Sequence, residues 1–227
     1  MAVMYTEKSF AKLILNNKIL RANDKLNPAS LKNWRRIFAG TDETYTDKNG
    51  KEIKIHSLIG IEIIDYDKKK EGGNKTGNSL EYNLSPENIA MICKNIERGL
   101  SYEGQLFYDM KTHAFTKRQD GKGEVISFEL KRESIMANGQ KSRYPYAITI
   151  KKGWARLKNE GVGYDASSYE QDSYLVVRLT YADCIGFFEK IRDGIEIFKI
   201  VEGSKLRRQG IEYEIAQAKA TSGNGQG

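Results

Sequence analysis

Alternating hydrophobic and polar residues mark several short segments of the chain as β-strands. In the run Leu175–Leu179, the apolar residues at every second position would face a core, while Arg178 would face away from it. A short strand at 43–46 is expected to pair back through the turn Lys48-Asn49-Gly50. Residues 27–38 are ambiguous between a short helix and an irregular strand. The other predicted strands are 105–111, 124–131, 144–152 and 174–180 in the second half, and 9–15, 51–65 and 80–84 in the first half.

After the last strand of each half, apolar residues recur every three or four positions, which is the spacing of an amphipathic helix. Residues 80–99 align without a gap to residues 175–194, at a constant offset of 95. Each segment has an alternating strand, a helix-capping residue, which is Ser85 or Thr180, and an amphipathic helix that reaches a glycine. The apolar residues after Gly194 leave open whether the second helix ends there or continues.

The predicted fold class is α+β, a tandem repeat in which four antiparallel strands and a helix (ββββα) occur twice. All 227 residues are expected to form one domain, and a hydrophobic content of 39% is adequate for a core. The first unit is expected at 1–100 and the second at 101–200. A C-terminal helix or extension is expected at 201–219, and a disordered tail at 220–227.

The chain is basic, with a formal net charge of +7, and the excess is regional. Residues 105–160 carry twelve Lys or Arg against six Asp or Glu. Because Lys and Arg release counterions when they bind phosphates, this distribution favours a polyanionic partner. Strand alternation places Lys131, Lys151 and Arg178 on the open face of the second sheet. A solvated face that only keeps the protein soluble is the alternative.

Two tandem units of antiparallel strands plus a helix, with a basic and aromatic open sheet, resemble the Whirly fold and its half-sized relative, the positive cofactor four family. The segment Lys152–Leu157 fits the Lys-Gly-x-Ala-x-Leu wording of Whirly proteins, although here it lies in the second repeat. The resemblance implies that single-stranded DNA or RNA binds along the strands, largely independently of sequence and often on a symmetric oligomer. Base stacking on aromatic rings, at about 1–3 kcal/mol per base, suits such a surface.

The candidate nucleic-acid-binding residues are aromatic or cationic side chains on or near the predicted sheets. Trp154 lies among lysines and arginines, as expected of a stacking ring flanked by phosphate contacts, and a half-buried tryptophan is the alternative. Trp34 with Arg35 and Arg36 has the same composition, and core packing of its ring, which lies in the ambiguous stretch, is the alternative there. The full set is Trp34, Arg35, Arg36, Phe107, Lys111, Phe115, Lys117, Arg118, Lys131, Lys151, Lys152, Trp154, Arg156, Tyr174 and Arg178.

No catalytic motif stands out, so the expectation is a protein that is not an enzyme and that uses no metal or cofactor. The only histidines, His56 and His113, lie far apart, and neither has metal-ligand spacing. Cys93 and Cys184 are expected on the buried faces of two helices rather than in a disulfide. No apolar run is long enough to span a bilayer, so a membrane partner is not expected.

The predicted function is that of a cytoplasmic single-stranded DNA-binding protein. Its expected role is in replication, recombination or transfer of a bacterial plasmid, phage or other mobile element, with a homo-oligomer left open. Two alternatives stay open: an RNA-binding protein of the same fold, or a structural or interaction protein of a mobile element whose basic sheet meets an acidic protein surface.

Overall fold

The described residues fold into ten strands and two α-helices. The computed structural model describes residues 9–46, 50, 52–66, 78–98, 103–118, 120–136, 138–158 and 163–223. The first unit contains β1 (Ser9–Leu15), β2 (Lys18–Lys25), β3 (Thr44–Thr46), β4 (Glu52–Lys54), β5 (Leu58–Asp65), β6 (Asn78–Leu84) and α1 (Pro86–Arg98). The second unit contains β7 (Gly104–Lys117), β8 (Gly123–Arg132), β9 (Tyr146–Ala155), β10 (Glu170–Leu179) and α2 (Tyr181–Gly223).

Each unit builds one four-stranded antiparallel sheet, in the order β1-β2-β5-β6 in the first and β10-β9-β8-β7 in the second. A helix follows each sheet, which confirms the predicted repeat of ββββα. The short hairpin of β3 and β4, predicted from its turn, belongs to an insertion between β2 and β5. The pattern did not predict β2, because only Leu20 and Ala22 in it are fully buried and its end, Asn23-Asp24, is typical of a turn.

The two sheets share one hydrophobic core with both helices. The ring of Tyr82 in β6 lies 5.8 Å from that of Phe128 in β8, and Phe107 packs edge-on against Phe128 at 6.0 Å. Phe128 is fully buried, and the strand neighbours Ile126 and Leu130 are buried on the same side. The units therefore cover each other's apolar faces instead of forming two separate cores.

Equivalent positions of the repeat meet where α1 contacts α2. The Cys93 thiol lies 3.7 Å from the carbonyl oxygen of Phe188, and Arg192 Nη1 lies 3.3 Å from Glu97 Oε1. Both pairs are 95 residues apart, which is the offset of the sequence repeat. Equivalent positions of the two units therefore face each other where the helices meet. Burial raises the pKa of Cys93 to about 11, and neither Cys93 nor Cys184 forms a disulfide.

Both helices begin at the predicted caps. The Ser85 hydroxyl accepts a hydrogen bond from the Asn88 amide at 3.3 Å, and the Thr180 hydroxyl accepts one from the Asp183 amide at 3.1 Å. Gly194 does not end α2, which is one continuous helix of 43 residues. A β-carbon at Gly194 would overlap the ring of Phe10 in β1, so glycine lets the helix pack closely there.

The part of α2 beyond the core has one covered and one open face. The insertion between β2 and β5 covers the first, where the ring of Phe38 stacks on Phe198 at 5.6 Å. The open face carries five exposed aliphatic side chains: Ile197, Ile200, Val201, Ile211 and Ile215. Residues 220–223 belong to this helix, and the rest of the predicted tail lies outside the described residues. No helix in the described part of the chain is long and apolar enough to cross a membrane.

Candidate nucleic-acid interface

The outer face of the second sheet is the face turned away from Phe128 and the core. Residues directly opposite each other in neighbouring strands project to the same side of a sheet. Lys151 in β9 is opposite Ser127 in β8 and Tyr174 in β10. Ala147 is opposite Lys131 and Arg178 in the same way. Lys131, Lys151, Tyr174 and Arg178 therefore share this outer face, where strand alternation placed the three cations.

Tyr169 and its neighbour Tyr164 lie at one end of the outer face, and Tyr108 lies farther along it; we call Tyr108, Tyr164 and Tyr169 the tyrosine cluster. The rings of Tyr164 and Tyr169 lie 5.7 Å apart with an interplanar angle of 50°. Tyr108 in β7 is opposite Glu129, on the same outer face, and it lies near enough to the other two that, besides burial, Tyr164 helps raise the pKa of Tyr108, and Tyr108 helps raise that of Tyr169. The Tyr108 side chain is 48% exposed. A binding partner can therefore reach aromatic surface of the cluster from the solvent side.

The tyrosine cluster rests on a glycine near the end of β9. A β-carbon at Gly153 would lie 2.5 Å from the carbonyl oxygen of Glu170 and 2.6 Å from the ring of Tyr169. Only glycine allows this close approach. The loop before β10 is held in place because the Asp165 carboxylate accepts from the Ser167 amide at 3.1 Å and the Ser168 hydroxyl accepts from the Arg156 amide at 2.8 Å.

Two tyrosines of the cluster, Tyr108 and Tyr169, are electrically neutral at ordinary pH. Burial raises the pKa of Tyr108 and of Tyr169 above the usual value for a phenol. Neutral rings can stack on bases without repelling the neighbouring phosphates. Sequence reasoning missed all three residues, although a glycine inside a strand pattern is a signal that something packs closely over it.

The cations of the outer face differ in how far they are neutralised. Lys131 Nζ lies 2.7 Å from Glu133, and Arg178 Nη2 lies 2.8 Å from the same carboxylate. Hydrogen bonds from Lys131 and Arg178 lower the pKa of Glu133, which therefore stays ionised. Lys151 forms no ion pair with any residue in the described ranges. Its charge is the one most available to a phosphate.

The equivalent face of the first sheet is closed by its own ion pairs. Arg21 Nη2 lies 2.7 Å from Glu62, and Lys25 Nζ lies 2.5 Å from Glu81. Asn23 donates to both carboxylates, at 3.2 Å to Glu62 and 2.8 Å to Glu81. Binding a phosphate here would require breaking these contacts, so the outer face of the second sheet is the better candidate.

Trp154 and Lys152 lie on the opposite side of β9 from Lys151. Lys152 is opposite Ile126, and its ammonium forms an ion pair with the largely buried Glu124. Trp154 is opposite Glu124 and is half-buried, while Arg156 follows the strand and is exposed. The structure therefore separates Trp154 from Lys151, because successive residues of a strand point to opposite faces.

Phe107 and Lys111 face the core side of β7 instead of the outer face. A bulge between Gln105 and Phe107 shifts the register, so Phe107 is opposite the buried Leu130 and is itself 6% exposed. The Lys111 ammonium donates to the Asn83 carbonyl and lies 4.9 Å from the centre of the Tyr82 ring. Burial lowers the pKa of Lys111. Lys111 thus joins the two sheets, and Phe107 packs in the core that they share.

Three further predicted residues lie near the turn between β7 and β8. The backbone of Phe115 and Lys117 belongs to β7, and their side chains lie outside the described residues. Arg118 pairs with Asp120 and lies 2.6 Å from Glu170. The hydrogen bond from Arg118 lowers the pKa of Asp120 to about 2. This arginine is thus engaged by two carboxylates at the edge of the sheet.

The group Trp34, Arg35 and Arg36 contacts α2 and its own insertion. The Trp34 ring packs over Gly210, and its Nε1 donates to Glu214 at 2.9 Å. Arg35 stacks on that ring at 4.8 Å and pairs with Glu214, while Arg36 pairs with Asp42 and Glu43. The ambiguous stretch 27–38 contains a short 3-10 helix, Leu31–Asn33, closed by a bridge between Pro28 and Phe38. The structure thus keeps this group apart from the outer face of the second sheet.

The side chains that could ligate a metal ion do not cluster in the described part of the fold. Within the ranges that the structure describes, no three His, Cys, Asp or Glu side chains come together in a way that could hold a metal ion. His113 Nδ1 lies 2.9 Å from Glu124 Oε1, beside Lys152.

Comparison with known proteins gives structural likenesses only. No protein family and no curated protein sequence matches this chain. Among solved structures, it is similar to WHY1 from Arabidopsis thaliana, with a TM-score of 0.37 and 9% identity over 92% of this chain and 90% of that one. It is also similar to WHY3 from Arabidopsis thaliana (TM-score 0.39, 8% identity, 80% and 85% covered). The plant transcriptional regulator PBF-2 gives a TM-score of 0.37 at 9% identity, with 80% and 79% covered.

All three are Whirly proteins, the family that the sequence pattern resembles. At these TM-scores the likeness carries no argument about what the chain binds, and its repeated ββββα architecture rests on its own strand order.

Proposed function

We propose that the chain binds single-stranded nucleic acid, DNA in the first place, along the outer face of its second sheet. The observation that carries the proposal is the combination of partly exposed tyrosine rings on this face with Lys151, which forms no ion pair among the residues that the structure describes. Rings stack on unpaired bases of any kind, and cations follow the phosphates, so binding would be largely independent of sequence. A duplex hides its bases and would bind more weakly.

The proposal includes a biological role for this binding. A non-catalytic cytoplasmic protein of this kind would protect or present single strands during replication, recombination or transfer of a bacterial mobile element. RNA of the same length is the main competing ligand, because stacking on tyrosine does not depend on the sugar. A homo-oligomer also belongs to the proposal, and the apolar open face of α2 supports it.

The proposal is tested by fluorescence anisotropy of a labelled mixed-sequence DNA strand of about thirty nucleotides, with duplex DNA and RNA as competitors. Saturable binding that single strands displace and duplex displaces poorly supports it. Absence of binding at low salt contradicts it and favours the protein-interaction alternative.

Lys151→Ala is expected to weaken binding of the strand about fivefold, as the loss of roughly 1 kcal/mol from one charge–phosphate contact predicts. The slope of log Kd against log salt should also fall by about 0.7, because one fewer counterion is released from a single strand. Lys25→Ala is the matched control, since Lys25 is already paired with Glu81 on the first sheet. Equal losses in the two variants would contradict a site on the second sheet.

Glu133→Gln is expected to strengthen binding by about two- to fivefold at low salt. The change removes the carboxylate that Lys131 and Arg178 share and so raises the net charge of the outer face by one. The gain should disappear at high salt, because it is electrostatic. Asp42→Asn on the distant insertion raises the net charge of the protein by the same amount, and its gain in affinity should be smaller. Unchanged or weaker binding by Glu133→Gln would show that strands do not follow these cations.

A further inference from the structure

A basic cleft lies at the end of the outer face opposite to Tyr164 and Tyr169. It holds a volume of about 910 Å³ between the connection from β8 to β9 and the start of β7. Lys131 and Arg178 of the outer face also line this cleft. The connection contributes Lys141, Arg143 and Tyr144 to its wall.

The cleft has a surplus of positive charge. Its lining holds five cationic side chains, Lys131, Arg132, Lys141, Arg143 and Arg178, against the two carboxylates of Glu103 and Glu133. Both carboxylates are engaged: Glu133 by Lys131 and Arg178, and Glu103 by the Ser134 amide at 2.9 Å and Arg132 at 3.6 Å. Lys141 and Arg143 form no ion pair within the described part of the chain, so two cations are left for a ligand.

The connection from β8 to β9 also gives the cleft an aromatic ring and apolar side chains. Tyr144 is 42% exposed, and the Arg143 guanidinium lies 5.6 Å from the centre of its ring. Ile135 and Met136 stand exposed beside them. An aromatic ring next to free cations suits a nucleotide, because a base can stack on the ring while its phosphate contacts the cations.

Backbone hydrogen bonds hold the connection in place. The Glu133 amide donates to the Pro145 carbonyl at 2.7 Å, and the Ser142 amide donates to the Ser134 carbonyl at 2.7 Å. The Tyr144 amide donates to the Ser142 hydroxyl at 3.1 Å. These hydrogen bonds fix the part of the connection that carries the Tyr144 ring, Lys141 and Arg143.

The cleft continues the outer face in a straight line. From Gly153, beneath the tyrosine cluster, to Ala147, between Lys131 and Arg178, β9 runs for six residues, or about 20 Å. Lys151 lies between the two ends. A strand that leaves the tyrosines past Lys151 therefore reaches the cleft without changing direction.

We propose that this cleft is a second nucleotide-binding subsite, which stacks a base on Tyr144 and holds phosphate on Lys141 and Arg143. The inference rests on the proposed binding of single strands to the outer face. It adds that strands long enough to pass the outer face gain affinity from the cleft, whereas short strands do not.

The test compares DNA strands of about five to about thirty nucleotides on the wild type and on Lys141→Glu/Arg143→Glu. Short strands should bind both proteins within about twofold, and long strands should bind the variant at least about tenfold more weakly. Arg207→Glu/Arg208→Glu is the matched control, because it changes the net charge equally on exposed residues of α2. Tyr144→Ala should repeat the dependence on length without a change of charge.

The outcomes separate the two proposals. If the wild type binds long strands and the cleft variant binds them as the control does, the subsite is refuted while the proposed function stands. If the cleft variant loses short and long strands equally, the cleft belongs to the primary site and the second subsite is refuted. If the wild type binds no single strand at all, the proposed function itself fails.

Discussion

Replacing Tyr108 and Tyr169 together by alanine is expected to weaken the binding of single-stranded DNA about 30-fold or more. Stacking of a base on one aromatic ring is worth about 1–3 kcal/mol, so two rings give about 2 kcal/mol at the lower bound. Tyr108 is half exposed on the outer face, and Tyr169 lies over Gly153 beside Tyr164. Titration of a labelled strand by anisotropy measures the loss.

Two controls separate stacking from other effects of this change. Tyr108→Phe with Tyr169→Phe keeps both rings and should bind within about threefold of the wild type, because stacking needs no hydroxyl. Tyr66→Ala removes a comparably exposed tyrosine at the end of β5 in the first unit and should have little effect. If the phenylalanine variant fails as the alanine variant does, the phenols act through hydrogen bonds. Wild-type affinity in the alanine variant would refute the cluster as the interface.

Phe128→Ala is expected to lower the free energy of unfolding by about 3–5 kcal/mol, the range for truncating a buried phenylalanine. The ring is fully buried and touches Tyr82 of the first unit as well as Phe107 of the second. Its loss would open a cavity between the sheets. Because both units share this core, the wild type and the variant should each unfold in one cooperative transition, measured by urea denaturation followed by circular dichroism.

The comparison for this prediction is Ile14→Ala. Ile14 is 78% exposed, so its truncation should change the free energy of unfolding by less than about 0.5 kcal/mol. Two separate unfolding transitions of the wild type would contradict a shared core. So would a loss in Phe128→Ala no larger than that in Ile14→Ala.

Strand alternation was sufficient for part of the candidate site. It placed Lys131, Lys151 and Arg178 on one face, and the register of β8, β9 and β10 puts them there. Phe107, predicted for the interface from its place near the loop after β7, points inward instead, because the bulge after Gln105 shifts the register and a bulge is invisible in a pattern of period two. The outer-face aromatic residue of that strand is Tyr108.

Composition alone was a poor guide to the tryptophans. Trp34 and Trp154 each have cations as sequence neighbours, yet Trp34 packs on Gly210 of α2 and Trp154 lies across its strand from Lys151. Gly194 was a similar case, since its position is typical of a helix end but its role is to admit the ring of Phe10. For Trp34 and Gly194 a contact with a residue far away in the chain overrode the local signal, whereas strand alternation itself separates Trp154 from Lys151.

The sequence by itself determined the repeat of strands and helix, without β2, the caps at Ser85 and Thr180, and the open face that carries Lys151. These features depend on residues within a few positions of each other, through strand alternation and side-chain capping. Tertiary structure alone decided the tyrosine cluster, the closure of the first sheet by ion pairs, and the cleft beside Tyr144. They arise where segments distant in the chain meet, and no local period records which rings and charges will become neighbours there.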